Sequence, residues 1–398
     1  MVIVSPKDQL PKSLNKSIFL AGPTPRSNKV ESWRPGVIKE LKDQGYDGVV
    51  FVPETDFKKI DYTDQVEWES KCLNIADVIL FWVPRSDDMP GLTTNVEYGE
   101  WMKTGKCVLG YPKDAGKMRF LSSKAADNFI PEANSIKDTV KNALEMIGSG
   151  SLRKEGEIYV PLHIWTTQSF KNWYEALVAA GNRLDYAKVL WTFAVGPKKN
   201  IIFSWVIHVS IYIAEEKRHK TNEFVLSRTD IVTILAYFPG EKIADTKFII
   251  VKEFRSPCSN KEGVVRELPG GSSKDSKDQL TSIASHELEE ETGVKIPKDR
   301  FKYVQSRQMT ATLSAHKAHL FCVELTDKEF KTLQSNVGST HGVEEDSEKT
   351  YTEIMSLKEV LSNDNLDWSM LGMIVKAIFD TKSGDKKDGE DWVGQFLS

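Results

Sequence analysis

Residues 286–294 read His286-Glu287-Leu288-Glu289-Glu290-Glu291-Thr292-Gly293-Val294, and they follow the Gly270-Gly271 pair by one helix length. On a helix, Glu287, Glu290 and Glu291 stand at i, i+3 and i+4, so three carboxylates share one face. Like charges crowded in this way repel unless a cation sits among them. Hard divalent ions such as Mg²⁺ take oxygen ligands of this kind and also bind substrate phosphates. The stretch therefore predicts a helix carrying a phosphate-processing metal site.

The segments around it supply the fold class. Val206–Ala214, Asp230–Tyr237 and Lys247–Glu253 are β-rich and precede the acidic helix. Ala318–Leu325 and Tyr351–Met355 follow it, and a last helix is expected from Trp368 to Thr381. That order predicts a mixed α+β domain. The N-terminal part reads differently. SIFLAG (17–22), GVVFVP (48–53), DVILFWVP (77–84) and CVLGYP (107–112) are short apolar runs that end at turn residues. Helix-like stretches lie between them, at Ser32–Lys42, Asp64–Ile75 and Asn95–Thr104. Strands alternating with helices predict a parallel α/β sheet, with ligands beyond the carboxyl ends of the strands. GSGSLRKEGE (148–157) reads as a boundary. Residues 158–200 carry Trp165, Phe170, Trp173, Tyr174 and Trp191 on helix-like spacing and read as a connecting segment. KSGDKKDGED (382–391) reads as a solvated turn or tail.

Composition narrows the function classes. The chain has 398 residues, more than one core normally serves, so two domains are expected. A net charge of −4 gives no support for nucleic acid or a membrane surface as partner. Cys72, Cys107, Cys258 and Cys322 form no CxxC pair, which favours a reducing, cytoplasmic setting over a disulfide framework or structural zinc. The first residues lack the pattern of a secretory signal. The apolar run Ile201–Ala214 is too short to span a bilayer.

The stretch ELPGGSSKDSKDQLTSIASHELEEETGV (267–294) resembles the signature of Nudix hydrolases. Gly271, Glu287, Leu288, Glu290, Glu291, Gly293 and Val294 fall in its order. The resemblance implies that Glu287, Glu290 and Glu291 hold Mg²⁺ or Mn²⁺ against a diphosphate and activate water, with Gly270 and Gly271 approaching the metal through their backbone. Two positions depart from the pattern. His286 stands where the signature has arginine, and Asp278 replaces its first glutamate one residue late. FIIVKEFRSP (248–257) followed by RELPGG resembles the ADP-ribose pyrophosphatase branch. That likeness implies Arg255 and Arg266 as phosphate-binding candidates and Glu267 as a residue positioning metal or ribose. It also implies a late-loop glutamate that orients water: Glu345 first, with Glu344 and Glu348 as competitors. Trp205, Phe254 and Trp191 are the candidates for stacking an adenine.

The first 112 residues resemble nucleoside 2-deoxyribosyltransferases and related nucleotide N-glycosidases. The matching pieces are FLAGP (19–23), the Ala76-Asp77 pair opening DVILFWVP, and TTNVEYG (93–99) followed by Gly105-Lys106. The resemblance implies Glu97 as the carboxylate that attacks the anomeric carbon, and Asp77 as a contact of the nucleobase or shuttle of its proton. Gly22 and the helix start at Thr94-Asn95 would bind sugar or phosphate oxygens. A further aspartate of that family has counterparts here only in Asp87 or Asp88, across a gap.

Together these readings give α/β plus α+β. Residues 1–150 would form a Rossmann-like, deoxyribosyltransferase-like parallel-sheet domain. Residues 151–200 would connect it to a Nudix α/β/α sandwich at 201–398. The leading expectation is Mg²⁺-dependent cleavage of the diphosphate of ADP-ribose or a related nucleotide. A second is a bifunctional enzyme that also cleaves N-glycosidic bonds, and a third is a non-catalytic nucleotide sensor. A small-molecule nucleotide is the expected partner, and the resemblance adds a homodimer.

Overall fold

Ser17–Ala21 and Val78–Trp82 are strands in which every residue is buried. A strand with no exposed face needs cover on both sides, the condition of a parallel sheet between helices. Six strands form that sheet, in the order Val2–Val4, Val49–Phe51, Ser17–Ala21, Val78–Trp82, Cys107–Gly110 and Glu132–Ala133. Every neighbouring pair is parallel. Alternate residues feed two cores. Phe19, Ile79, Phe81 and Leu109 pack with Trp68 and Tyr98 on one face, and Ile18, Leu20, Leu80 and Val108 pack with Val37 and Val140 on the other. Helix Tyr62–Ile75 starts where Asp61 accepts from the Thr63 N–H, and helix Ile136–Ile147 starts where Ser135 accepts from Asp138. Each cap satisfies an N–H that the first helical turn leaves without a partner.

The computed structural model describes residues 1–25, 30–54, 61–196, 199, 201–272, 279–341 and 349–383. Asp278, Glu344, Glu345 and Glu348 lie outside these. The chain divides into two units, Met1–Arg228 and Thr229–Ser398. The division corrects two expectations. Residues 148–157 are no boundary, because Arg153 is fully buried and forms a two-pronged pair with Asp77 at 2.7 Å from each nitrogen. Residues 201–228 belong to the first unit. They form the last two strands of a three-stranded antiparallel sheet made of Arg183–Val195, Ile201–Ile213 and Arg218–Arg228. One face of this sheet packs on helix Gln168–Ala179 through Phe170, Leu184, Val189, Trp205 and Ile207. Trp191 therefore sits on a strand, not on the helix-like spacing read from the sequence.

The second unit holds an eight-stranded mixed sheet among its described residues. Ile231–Phe238 runs parallel to Lys317–Glu324 and antiparallel to Lys247–Phe254 and Gly270–Ser272. Val232, Ile234 and Ala236 face the acidic helix Leu280–Thr292, whose Ile283, Ala284 and Leu288 complete that core. Leu235, Phe248, Ile250 and Leu320 face helix Trp368–Ser383 through Met370 and Ile374. Helices on both faces of a mixed sheet are the expected α/β/α layering. The acidic helix stops at Gly293, whose φ of 72° suits the left-handed residue that closes helices.

Candidate functional site

The carboxyl ends of the first unit's strands gather a cation and several carboxylates. Gly22 follows strand Ser17–Ala21, Glu54 follows Val49–Phe51, and Glu97 lies on helix Leu92–Trp101, which follows Val78–Trp82. A Cβ at Gly22 would collide with the Trp82 carbonyl, so the turn requires glycine. Arg34 is buried at the centre. Its guanidinium donates to the Gly22 carbonyl at 2.8 Å and to Thr24 Oγ1 at 3.1 Å, pairs with Glu54 at 3.4 Å, and stacks 4.6 Å from the Trp33 ring. Glu54 also accepts from Ser32 Oγ. Glu69, on helix Tyr62–Ile75, accepts from Gln65 at 2.8 Å, and burial raises its pKa.

Glu97 is half-buried beside this cation. Burial first, then the Glu69 charge, push its pKa up to about 7, while Arg34 opposes them. Two carboxylates sharing one site with a cation tend to titrate apart, so that one is acid while the other is base. A pair divided in this way suits glycosidic chemistry. One carboxylate stabilises or captures the anomeric carbon while the other moves the leaving group's proton. Sequence reasoning found Glu97, placed Pro53-Glu54 at the ligand edge, and missed Arg34 and Glu69. The signal for Glu69 was its place on a predicted helix ending just before the DVILFWVP strand.

Asp77 requires a correction. It opens strand Val78–Trp82, at the amino edge of the sheet, and is buried. Its carboxylate accepts from both Arg153 Nη atoms, from Ser17 N and Oγ, and from the Leu162 N–H. With five donors and no exposure it has no lone pair to offer a nucleobase, so it is a structural anchor. Asn95 is exposed on the first turn of its helix, with Oδ1 accepting from Arg85 Nη2 at 2.6 Å. It stays at the ligand edge, held from one side.

In the second unit the acidic helix meets strand Gly270–Ser272. Glu291 is half-buried and accepts from the Gly270 N–H at 2.9 Å. Burial lifts its pKa well above the carboxylate range, and the charges of Glu287, Glu253 and Glu267 add to the lift. A Cβ on Gly271 would strike the Glu287 carboxylate, so that glycine makes room for the acid. The structure thus joins Glu287 and Glu291 to Glu253 and Glu267 from neighbouring strands. Glu290 lies 3.3 Å from His286 Nδ1, one turn away on the same helix. Among the described residues no group of three or more His, Cys, Asp or Glu side chains is arranged to hold a metal ion. Arg255 pairs with Glu253 at 2.8 Å. Arg266 requires a second correction: its Nε and Nη2 bind Glu353 at 2.7 and 3.4 Å and its Nη1 binds Glu262 at 3.2 Å, so every arm is committed to protein carboxylates rather than to phosphate. Trp205 is fully buried and donates to Ser169 at 2.9 Å, which makes it core rather than a stacking surface.

The family model described as nucleoside 2-deoxyribosyltransferase like matches residues 15–115. The first unit carries a deoxyribosyltransferase-like domain. Gly22, Arg34, Glu54, Glu69 and Glu97 all fall inside the matched stretch. No curated protein matches the chain. Among solved structures, a crystal structure of an ADP compounds hydrolase is similar at 11% identity, covering 51% of this chain and 96% of that one, with a TM-score of 0.36. That likeness is too slight to argue from. No helix among the described residues is long and apolar enough to cross a membrane.

Proposed function

We propose that the chain is a nucleotide-processing enzyme whose first unit cleaves the N-glycosidic bond of a nucleoside or nucleotide, with Glu97 acting at the anomeric carbon. The observation that carries this reading is Glu97 itself, half-buried on helix Leu92–Trp101 at the ligand edge, where burial and the Glu69 charge push its pKa up to about 7 against Arg34. The bond between C1′ and the base nitrogen breaks, and the base leaves with the electron pair while protonated Glu69 gives it a proton, which water later restores. Ionised Glu97 forms an ester with C1′ or stabilises the oxocarbenium ion. Water then adds its oxygen at C1′ and gives its proton to Glu69, whose raised pKa suits it to shuttle protons. Arg34 keeps part of the Glu97 population ionised. Incubation with nucleosides, deoxynucleotides and NAD should release free base. No base at high enzyme concentration across the whole set would refute the reading.

A second reading concerns the acidic helix, and the gathering of Glu253, Glu267 and Glu287 about half-buried Glu291 favours it. A crowd of this kind suits a divalent cation, which would lower the cost of its charge. Glu287, Glu290, Glu291 and the Gly271 backbone would hold Mg²⁺ or Mn²⁺. When bound, the ion would supply charge neutralisation at the diphosphate of ADP-ribose or a related nucleotide. The protein's own part is to hold the carboxylates in place and to orient Arg255 nearby through Glu253. Mg²⁺-dependent hydrolysis of ADP-ribose that is equal in the native chain and in Glu291→Gln would remove this mechanism.

A further inference from the structure

The first unit has a second concavity, at the amino ends of the parallel strands and so on the edge opposite Glu97. It is a cavity of about 870 Å³, bordered by Lys103, Phe129, His163, Trp191, Phe193 and Lys199. Sites for drug-sized and cofactor ligands run from roughly 300 to 1,000 Å³. Trp191 and Phe193 stack with ring centroids 5.9 Å apart and planes 10° from parallel, and both remain more than 40% exposed. Two large aromatics aligned and left open to the cavity offer a face for a planar ring.

The polar groups have a consistent sense. Glu145 and Asp127 at the wall are paired with Lys141 at 3.8 Å and Lys124 at 2.7 Å. Among the described residues, neither Lys103 nor Lys199 has a carboxylate partner, and the Lys199 ammonium lies 5.2 Å from the centroid of the Phe129 ring. Phe129 and Lys199 hold φ of 56° and 48°, a left-handed backbone that costs energy in residues with a side chain. Among the described residues, Lys103 and Lys199 are thus the cavity's charges with no opposite charge beside them. His163 contacts the Thr104 carbonyl through Nε2 at 2.9 Å, so that nitrogen carries the proton. Burial pulls the ring's pKa down to about 4, which keeps it neutral. Its Nδ1, with no partner among the described residues, is left as an acceptor.

We propose that this cavity binds a nucleoside monophosphate, with the base on the Trp191–Phe193 stack, its exocyclic amino group donating to His163 Nδ1, and its phosphate held by Lys103 and Lys199. The site is separate from the glycosidic edge and does not depend on catalysis there. Fluorotryptophan labelling of the full chain, followed by fluorine NMR, tests it. The Trp191 resonance is identified by its loss in Trp191→Phe. AMP should shift it, ribose phosphate should leave it in place, and Glu97→Gln should retain the response. By calorimetry, Trp191→Ala should weaken AMP binding at this site tenfold or more, the usual worth of one base–aromatic stack, with base release at Glu97 unchanged. A resonance unmoved by millimolar AMP, an equal shift with ribose phosphate, or unaltered affinity in Trp191→Ala would each overturn the proposal.

Discussion

The two units each crowd carboxylates at the edge of a sheet, and they differ in what neutralises them. In the first, Arg34 is built into the site, and it opposes burial and Glu69 in setting Glu97 near 7. In the second, burial raises the pKa of Glu291 against the Gly270 N–H, three further acids add to the rise, and Arg255 pairs with Glu253. A site that brings its own cation can run acid–base chemistry unaided. On the proposed reading, a site whose acids oppose each other would draw its cation from solution. The contrast separates the two proposed chemistries more sharply than the fold does.

The largest effect should come from Glu69→Gln, which removes the proton-handling partner. Base release should fall by about 10²–10⁴-fold, the usual range for a general acid or base. The surviving activity should also rise at a lower pH, because the charge that lifts Glu97 is gone. A lowered rate with an unmoved pH limb would mean that Glu69 does not face Glu97. Next comes Asp77→Asn, which leaves buried Arg153 without its counter-charge. Stability in urea should drop by about 3–5 kcal/mol, as for other broken buried pairs, while the folded fraction keeps its rate. Full stability with lost activity would return Asp77 to the substrate.

Arg34→Met tests the built-in cation. Glu97 should then titrate higher still, and base release should begin only at more alkaline pH. Unfolding should be followed beside the assay, since Arg34 also ties Gly22 to Thr24. The smallest effect belongs to Glu291. Its folded pKa is raised, so the folded unit keeps its proton after the unfolded chain has lost it near the ordinary value of about 4.3. Its contribution to stability is therefore full below that value and is lost as pH rises toward the folded pKa. Glu291→Gln should flatten this decline in denaturation measured across the acid and neutral range. An unchanged slope would mean that the carboxylate is not strained.

Much of this was readable in the sequence where one segment determines its own structure. The apolar runs at 17–21 and 78–82 are continuous because both faces are covered, and they predict buried strands directly. The acidic helix is legible in its spacing and in Gly293. What escaped depends on distant partners. Arg34 reads as an ordinary helix residue until Gly22, Glu54 and Trp33 surround it. Asp77 reads as a site residue until Arg153, far along the chain, fills its lone pairs. Arg183–Val195 and Arg218–Arg228 carry many polar side chains, so their strands show only through the pairing with Ile201–Ile213. That is why the first unit runs past the boundary expected at 200.

The most direct measurement is a crossed assay of the native chain, Glu97→Gln and Glu291→Gln, scoring base release and ADP-ribose hydrolysis side by side. Glu97→Gln should abolish base release and leave the diphosphate reaction intact, and Glu291→Gln should do the reverse. Base release that persists at the native rate in Glu97→Gln would contradict the account at its centre.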